Sequence, residues 1–222
     1  MQNKLMNMFN LMLDRFGPQH WWPGNGPFEM MTGAILTQNT SWTNVEKALA
    51  NLKRESLLSV KAINDISSEK LAEFIRPAGY FNIKSKRLKN LVSLLADDYN
   101  GDLSRFVNED IETQRMALLS VKGIGPETAD SIILYASKKP VFVIDTYTYR
   151  ILSRHNLVDE QVTYDDLQDI FMNNLEPDHG LFNEFHALLV RTAKEYCKKH
   201  PKCDNCPLNV WESDGSSFLS SL

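Results

Sequence analysis

The stretch "LLSVKGIGPETAD", residues 118–130, places two glycines between two apolar segments. Gly123 and Gly125 can adopt backbone angles that other residues rarely take. Pro126 suits the first position of a helix, because its φ is already fixed near the helical value. The stretch therefore predicts a tight hairpin between two helices. The backbone N–H groups that open the second helix would be available to an anion.

Apolar residues recur at helical spacing along most of the 222-residue chain, and 43% of its residues are hydrophobic. This predicts a helical protein with a sizeable core. No apolar run approaches the roughly 20 residues that a membrane helix needs, and residues 1–16 lack the pattern of a signal peptide. Only "VFVI", residues 141–144, resembles a strand, and it suits a buried connector equally well. We expect an all-α, cytoplasmic protein with no membrane segment.

The charge of the chain leaves its partner open. The formal net charge of −4 argues against a surface that binds nucleic acid all round, because phosphate binding draws on Lys and Arg. Basic residues are nevertheless concentrated in residues 82–89 and 191–203, and acidic ones in residues 158–169. This distribution is compatible with one basic face on an otherwise acidic protein.

The hairpin closely resembles the helix-hairpin-helix motif of DNA-binding proteins, whose backbone N–H groups bind a DNA phosphate. The segment that follows it, "PVFVIDTYTYRIL" (140–152), is similar to the corresponding segment of the endonuclease III (HhH-GPD) superfamily of DNA glycosylases. The resemblance continues through three further segments, residues 33–49, 76–88 and 185–208. It therefore covers nearly the whole chain, in order.

This resemblance implies an all-α fold of two helical domains with the catalytic cleft between them. Residues 26–138 would form a six-helix barrel that carries the helix-hairpin-helix. Residues 1–25 and 139–222 would form a terminal helical domain with the catalytic aspartate and a cysteine loop. The implied partner is double-stranded DNA containing a damaged base, and we expect the protein to act as a monomer.

Asp145 falls at the catalytic aspartate of the superfamily. An ionised carboxylate there would stabilise the positive charge that develops on the sugar as the glycosidic bond breaks, and would accept a proton from the attacking water. Asp145 is also well suited to cap the helix that follows it. The two roles are compatible with each other.

Glu127 departs from the family pattern. Members that also cleave the strand carry a lysine at this position in G-x-G-x-K-T-A, and that lysine attacks the sugar. A carboxylate cannot form a Schiff base, so the resemblance implies a monofunctional glycosylase that uses water. Glu127 is either a second catalytic residue or a first-turn acid that the helix dipole favours.

The segment "HWWPGNGPF", residues 20–28, resembles the Trp-Trp-Pro segment of the bacterial 3-methyladenine DNA glycosylases of this superfamily, which also lack the lysine. The resemblance places Trp21, Trp22 and Pro23 in the base pocket and Trp42 as a stacking aromatic. N-alkylated purines are cationic and bind indole faces through cation–π attraction. The alternative is that the tryptophans pack between domains.

The same resemblance assigns the contacts with DNA. Gln38 would enter the gap left by the extruded nucleotide and Tyr80 would wedge into the base stack, although they also suit a solvent-facing amide and a core aromatic. The contacts with the DNA backbone would come from Gly123, Gly125, Lys84 and Lys198.

The three cysteines, Cys197, Cys203 and Cys206, lie within ten residues, and such clustering indicates a metal site. Endonuclease III relatives bind a [4Fe-4S] cluster through C-x6-C-x2-C-x5-C. This chain has C-x5-C-x2-C, with Glu212 at the final position. The residues leave three alternatives open: a cluster with an incomplete cysteine set, zinc with His200 or His186 as fourth ligand, or no metal.

We therefore expect a monofunctional base-excision-repair glycosylase that hydrolyses the N-glycosidic bond of alkylated purines such as 3-methyladenine. One alternative is an endonuclease III-type glycosylase for oxidised pyrimidines. The other is a catalytically silent helix-hairpin-helix module that only binds DNA.

Overall fold

The computed structural model describes residues 1–22, 24–159 and 161–211. Within these ranges the chain is helical and contains no β-strand, which confirms the predicted all-α fold. Residues 141–144, the single strand-like stretch, form a buried connector without regular secondary structure. No helix of the described ranges is both long and apolar enough to cross a membrane.

Twelve α-helices occupy the described ranges: α1 Gln2–Phe16, α2 Pro27–Leu36, α3 Trp42–Arg54, α4 Val60–Asp65, α5 Ser68–Phe74, α6 Phe81–Asp97, α7 Leu103–Asn108, α8 Ile111–Ser120, α9 Pro126–Ser131, α10 Thr146–Arg154, α11 Tyr164–Met172 and α12 His179–Glu195. A π-helical turn, Ile132–Ala136, follows α9 directly. Three 3-10 turns span Arg76–Ala78, Cys203–Asn205 and Pro207–Val210.

The described chain divides into two compact units. One comprises residues 22–139, and the other comprises residues 1–21 and the described residues between 140 and 211. The second of these, the terminal unit, packs α1 and α10 against α12. Its core is aromatic: Phe142 stacks on Phe171 with ring centroids 3.7 Å apart, and Phe182 and Phe185 meet Phe142 edge-on. The apolar connector thus anchors the chain just before α10.

The other unit, which we call the central unit, contains α2 to α9 and the π-helical turn. Helix α2 is buried along most of its length and packs against α3, α6 and the π-helical turn. Helix α6 presents a fully buried apolar face and packs against α4 and α5. The division into a barrel domain of residues 26–138 and a terminal domain, with a cleft between them, stays a prediction.

Lys84 occupies the interior of the central unit, with only 1% of its surface exposed. Its Nζ donates hydrogen bonds to the carbonyl oxygens of Leu36, at 2.8 Å, and Ala78, at 2.7 Å. The amine therefore joins the end of α2 to the 3-10 turn before α6. The expectation that Lys84 contacts the DNA backbone is wrong, because a buried amine that is bonded to two carbonyls cannot reach a phosphate.

Burial of Lys84 lowers the pKa of its amine to about 8, and the neighbouring Arg87 guanidinium acts in the same direction. The charged form is thus less favourable in the folded protein than in water. Folding pays this cost at neutral pH. The cost disappears as the amine loses its proton.

We predict that the stability of the wild-type protein rises with pH relative to Lys84→Met. Since the folded-state pKa of about 8 lies below the usual 10.5, the unfolded chain binds more protons between these pH values. The wild type should gain up to about 3 kcal/mol over Lys84→Met in that window, measured by urea unfolding. Lys86→Met, exposed on the same helix, should follow the wild type. A constant difference between wild type and Lys84→Met would contradict the prediction.

Candidate active site

A sharp turn joins α8 to α9. Gly123 adopts φ of 101°, a left-handed angle that glycine accepts without strain. Gly125 has φ of −103° and ψ of 179°, which is extended backbone open to any residue. The expectation that both glycines supply left-handed angles is therefore correct only for Gly123. Ile124, between them, is buried and donates its backbone N–H to the carbonyl of Val121 at 3.0 Å.

The two helices of this hairpin are held together by an ion pair. Asp130 of α9 is fully buried, and its Oδ1 lies 2.9 Å from Nε of Arg115 on α8. Removing one partner would leave a buried charge uncompensated, which is far costlier than losing a surface pair. This ion pair therefore fixes α8 and α9 against each other at the hairpin.

Glu127 lies in the first turn of α9 and is exposed. Its backbone carbonyl accepts a hydrogen bond from Ser131 Oγ at 2.7 Å. An acidic side chain is favoured there by the partial positive charge of the helix N-terminus. The structural role expected of Glu127 is thus compatible with its position, and a catalytic role for it stays a prediction.

Asp145 is the N-cap of α10, with 11% of its side chain exposed. Its Oδ1 accepts hydrogen bonds from the backbone N–H of Thr148, at 2.7 Å, and from Thr148 Oγ1, at 3.0 Å. Its Oδ2 lies 3.5 Å from Nε2 of His186, on α12. The capping role expected of Asp145 is therefore real, and it uses one of the two carboxylate oxygens.

The surroundings of Asp145 favour its charged form. Burial alone would raise the pKa of the carboxyl, but the neighbouring His186 imidazole and the two bonds from Thr148 lower it and outweigh the effect of burial. The pKa of Asp145 is therefore lowered, and the group is a carboxylate at neutral pH. His186, considered above as a zinc ligand, lies instead beside this carboxylate. In the sequence, nothing in the segment "FHALL" (185–189) distinguishes His186 from an ordinary core histidine.

Trp22 and Trp42 come together in the central unit with Tyr135, a residue of the π-helical turn. The ring centroid of Trp22 lies 4.7 Å from that of Trp42, nearly perpendicular, and 4.7 Å from that of Tyr135, tilted by 36°. Trp42 donates its indole N–H to Glu46 Oε1 at 3.1 Å. We call these three rings the aromatic cluster. Sequence reasoning missed Tyr135, which reads as an ordinary core residue in "SIILYA".

Gly33 of α2 has no side chain, and the two indoles lie close to the helix at this position. A Cβ at this position would lie 3.3 Å from Cη2 of Trp42 and 3.4 Å from both Cζ2 and Nε1 of Trp22. These distances are tighter than most carbon contacts, so a side chain would push the rings away from α2. Gly33 therefore allows two rings of the aromatic cluster to lie close to α2, although it contributes no ring.

Trp21 belongs to the terminal unit and has different surroundings. The ammonium of Lys194 lies 5.9 Å from the centroid of its ring and 5.7 Å from that of Tyr147. The two adjacent tryptophans thus pack within different units. Pro23, the third residue predicted for the base pocket, lies outside the described residues.

Gln38 and Tyr80 both belong to the central unit. Gln38 is half-buried, and its amide donates to the carbonyl of Gly123 at 3.3 Å and to Thr128 Oγ1 at 3.0 Å. It is not the solvent-facing residue of the alternative reading. Tyr80, 68% exposed, precedes α6 with a left-handed φ of 46°. It is not a core aromatic, because most of its ring is available to a partner.

The cysteine loop carries a hydrogen bond from α10. Nη1 of Arg154 donates to Sγ of Cys197 at 3.2 Å and to the carbonyl of Lys198 at 2.7 Å. Burial raises the pKa of the Cys206 thiol, and the neighbouring Cys197 and Cys203 act in the same direction. Lys198 and Cys203 are exposed.

These side chains do not fit a metal cluster. In the described part of the chain, no three His, Cys, Asp or Glu residues converge as ligands, and Glu212 lies outside it. A fourth cysteine is absent from the sequence, so the thiol set of a [4Fe-4S] cluster is incomplete.

The chain is similar to known DNA repair proteins along most of its length. The family described as "HhH-GPD superfamily base excision DNA repair protein" matches residues 32–177. A relative from Methanocaldococcus jannaschii, provisionally named a DNA repair glycosylase, is 45% identical over 206 residues, which are 92% of this chain and 93% of the relative.

Solved structures resemble the fold. The H. pylori 3-methyladenine DNA glycosylase MagIII, bound to 1,N6-ethenoadenine, is 34% identical with a TM-score of 0.73, covering 87% of this chain and 96% of that one. A trapped covalent intermediate of endonuclease III with DNA gives a TM-score of 0.80 at 21% identity, covering 95% of each chain, a likeness of fold. The expected family is confirmed: the chain belongs to the HhH-GPD superfamily of base excision DNA repair proteins and is a DNA glycosylase of that family.

Proposed function

We propose that the protein is a monofunctional glycosylase that hydrolyses the N-glycosidic bond of alkylated purines, such as 3-methyladenine, in double-stranded DNA. The observation that carries the proposal is Asp145, a nearly buried carboxylate that is held ionised and keeps one oxygen outside the helix cap. The 34% identity to the H. pylori 3-methyladenine DNA glycosylase supports the substrate class.

Asp145 supplies the negative charge that the reaction needs. As the bond between base and sugar breaks, positive charge develops on the sugar ring, and a nearby carboxylate in a poorly solvated site stabilises it strongly. The same group then accepts a proton from the attacking water. His186 and Thr148 hold the carboxylate in its charged form and fix its orientation.

The aromatic cluster would bind the damaged base. An N-alkylated purine is positively charged, and the indole faces of Trp22 and Trp42 attract a cation through their ring electrons. The Glu46 carboxylate, bonded to the indole of Trp42, adds negative charge nearby. Such a base also leaves readily and needs no general acid, which suits a site built around a single carboxylate.

The lysine used for strand cleavage by other members is replaced by Glu127. A carboxylate cannot form an imine with the sugar, so this position supports hydrolysis without lyase activity. Base release should therefore leave an intact abasic strand that heat or alkali must break.

Duplex DNA would contact the central unit at the hairpin and at Tyr80. Gly123 and Gly125 bring the backbone close to a phosphate, and the exposed Tyr80 suits a wedge in the base stack. Ile83, half-exposed one turn further along α6, would add apolar surface beside it. Lys198, exposed in the terminal unit, is a further contact proposed for the DNA backbone. We expect one protein molecule to act on each lesion.

We predict that Asp145→Asn lowers base release from methylated duplex DNA by at least about 100-fold, because the charge that stabilises the sugar is lost. Binding to an undamaged duplex should change little, as the amide retains an oxygen for the cap. Release is measured as free 3-methyladenine, with a borohydride trap alongside. The wild type should give free base and no trapped adduct.

Asp110 offers a matched control for the cap. It opens α8 in the same way, bonding the N–H and hydroxyl of Thr113, but it is an exposed residue outside the site. Asp110→Asn should keep full activity. Activity that survives in Asp145→Asn would refute the catalytic assignment. No release of any base by the wild type would favour a silent DNA-binding module, and a trapped adduct would mean that another amine attacks the sugar.

We predict that Trp42→Ala weakens excision of the cationic 3-methyladenine by about tenfold or more, and that of a neutral damaged base such as hypoxanthine less. Affinity for undamaged duplex should stay within about twofold. The measurement is kcat/KM for each base beside a duplex-binding titration. Trp42→Phe, which keeps a ring, should lie between wild type and Trp42→Ala. Equal losses in excision and duplex binding would instead support a packing role.

A further inference from the structure

Arg87 of α6 connects two parts of the central unit that are assigned to DNA contact. Its Nη1 donates a hydrogen bond to Oε1 of Gln38, in the turn after α2. The amide nitrogen of the same Gln38 donates to the hairpin, at Gly123 and Thr128. Gln38 is thus bonded to α6 on one side and to the hairpin on the other.

The stem of Arg87 also lies directly on the hairpin. A Cβ at Gly123 would come within 2.5 Å of Cγ and 2.9 Å of Cδ of Arg87, which is closer than any real carbon contact. A glycine is therefore needed at residue 123 for two reasons. Its φ is left-handed, and a side chain there would overlap the stem of Arg87. At Gly125 a Cβ would meet nothing within 4 Å.

These contacts leave the Gln38 side chain little freedom. An amide group has two N–H donors and one carbonyl acceptor, and here both kinds of group are engaged. If Arg87 is removed, the partly buried carbonyl of Gln38 loses its donor, and the amide loses the contact that orients it. The hairpin loses the stem that packs on Gly123 at the same time.

We propose that Arg87 is a positioning residue, which holds Gln38 on the helix-hairpin-helix so that the phosphate contact of the hairpin and the duplex contact of Gln38 form together. The proposal rests on the proposed function only in requiring that the protein binds duplex DNA. It does not require a particular damaged base. A plain phosphate contact by Arg87 is the competing explanation, and it would act independently of Gln38.

A double-mutant cycle separates the two explanations. Arg87→Ala, Gln38→Ala and the double variant are compared by their affinity for a duplex carrying a tetrahydrofuran abasic site, which needs no base release. Arg87→Ala should weaken binding about tenfold in the wild-type background and about twofold or less in the Gln38→Ala background. Lys86→Ala removes the same charge from the preceding residue of α6, which is exposed, and should weaken duplex binding about twofold in both backgrounds.

The salt dependence of binding gives a second measurement, which separates a positioning role of Arg87 from a direct phosphate contact. A phosphate-neutralising arginine contributes nearly one unit to the slope of log K against log salt. We expect that slope to stay unchanged in Arg87→Ala. Gly123→Ala should reproduce the loss of Arg87→Ala, since the added methyl displaces the stem.

Equal losses in both backgrounds, a fall of about one unit in the slope, or no loss at all would each overturn the proposal. Thermal unfolding identifies variants that fail to fold, and Arg87→Lys, which keeps the charge and one donor, then serves in the cycle with an expected intermediate loss. If Arg87 and Gln38 are coupled in the cycle but the wild type releases no 3-methyladenine, only the proposed substrate is refuted. If the wild type binds no duplex, both the proposed function and the role of Arg87 are refuted.

Discussion

The terminal unit depends on a single carboxylate that must stay charged while nearly buried. Isolated in such a place, Asp145 would take up a proton, because burial penalises an ion. Thr148 completes the first turn of α10 through one carboxylate oxygen, and His186 of α12 faces the other. The ionised state that fixes the helix start is the same state that the proposed chemistry requires. The same charged carboxylate therefore stabilises the start of α10 and is available for the proposed reaction.

The central unit follows the same rule with other groups. Lys84 is bonded to two carbonyls, Asp130 is paired with Arg115, and Gln38 is bonded on both sides of its amide. Each of these polar side chains links segments that are distant in sequence, so the interior is specified by directional bonds as well as by apolar packing. Tyr80 contrasts with them, since its ring is left largely to solvent.

The sequence predicted the parts of this protein that depend on local chemistry. The hairpin, the cap at Asp145 and the all-helical fold follow from residue types at fixed spacing. It failed where the outcome depends on residues far apart in the chain. Lys84 resembles any surface lysine until α2 closes over it, and His186 acquires its meaning only beside Asp145. The roles given to Asp145, Trp42 and Tyr80 in binding and catalysis stay predictions.

Gly33 shows how the aromatic cluster could change without losing its rings. A Cβ at residue 33 would lie 3.3 to 3.4 Å from atoms of both indoles, so the glycine allows both rings to lie close to α2. A larger side chain there would alter the width of the proposed base pocket while leaving Trp22, Trp42 and Tyr135 unchanged. In that proposed pocket, the range of accepted bases can therefore diverge through residue 33 of α2, which contributes no ring, and a comparison of the aromatic residues alone would miss the change.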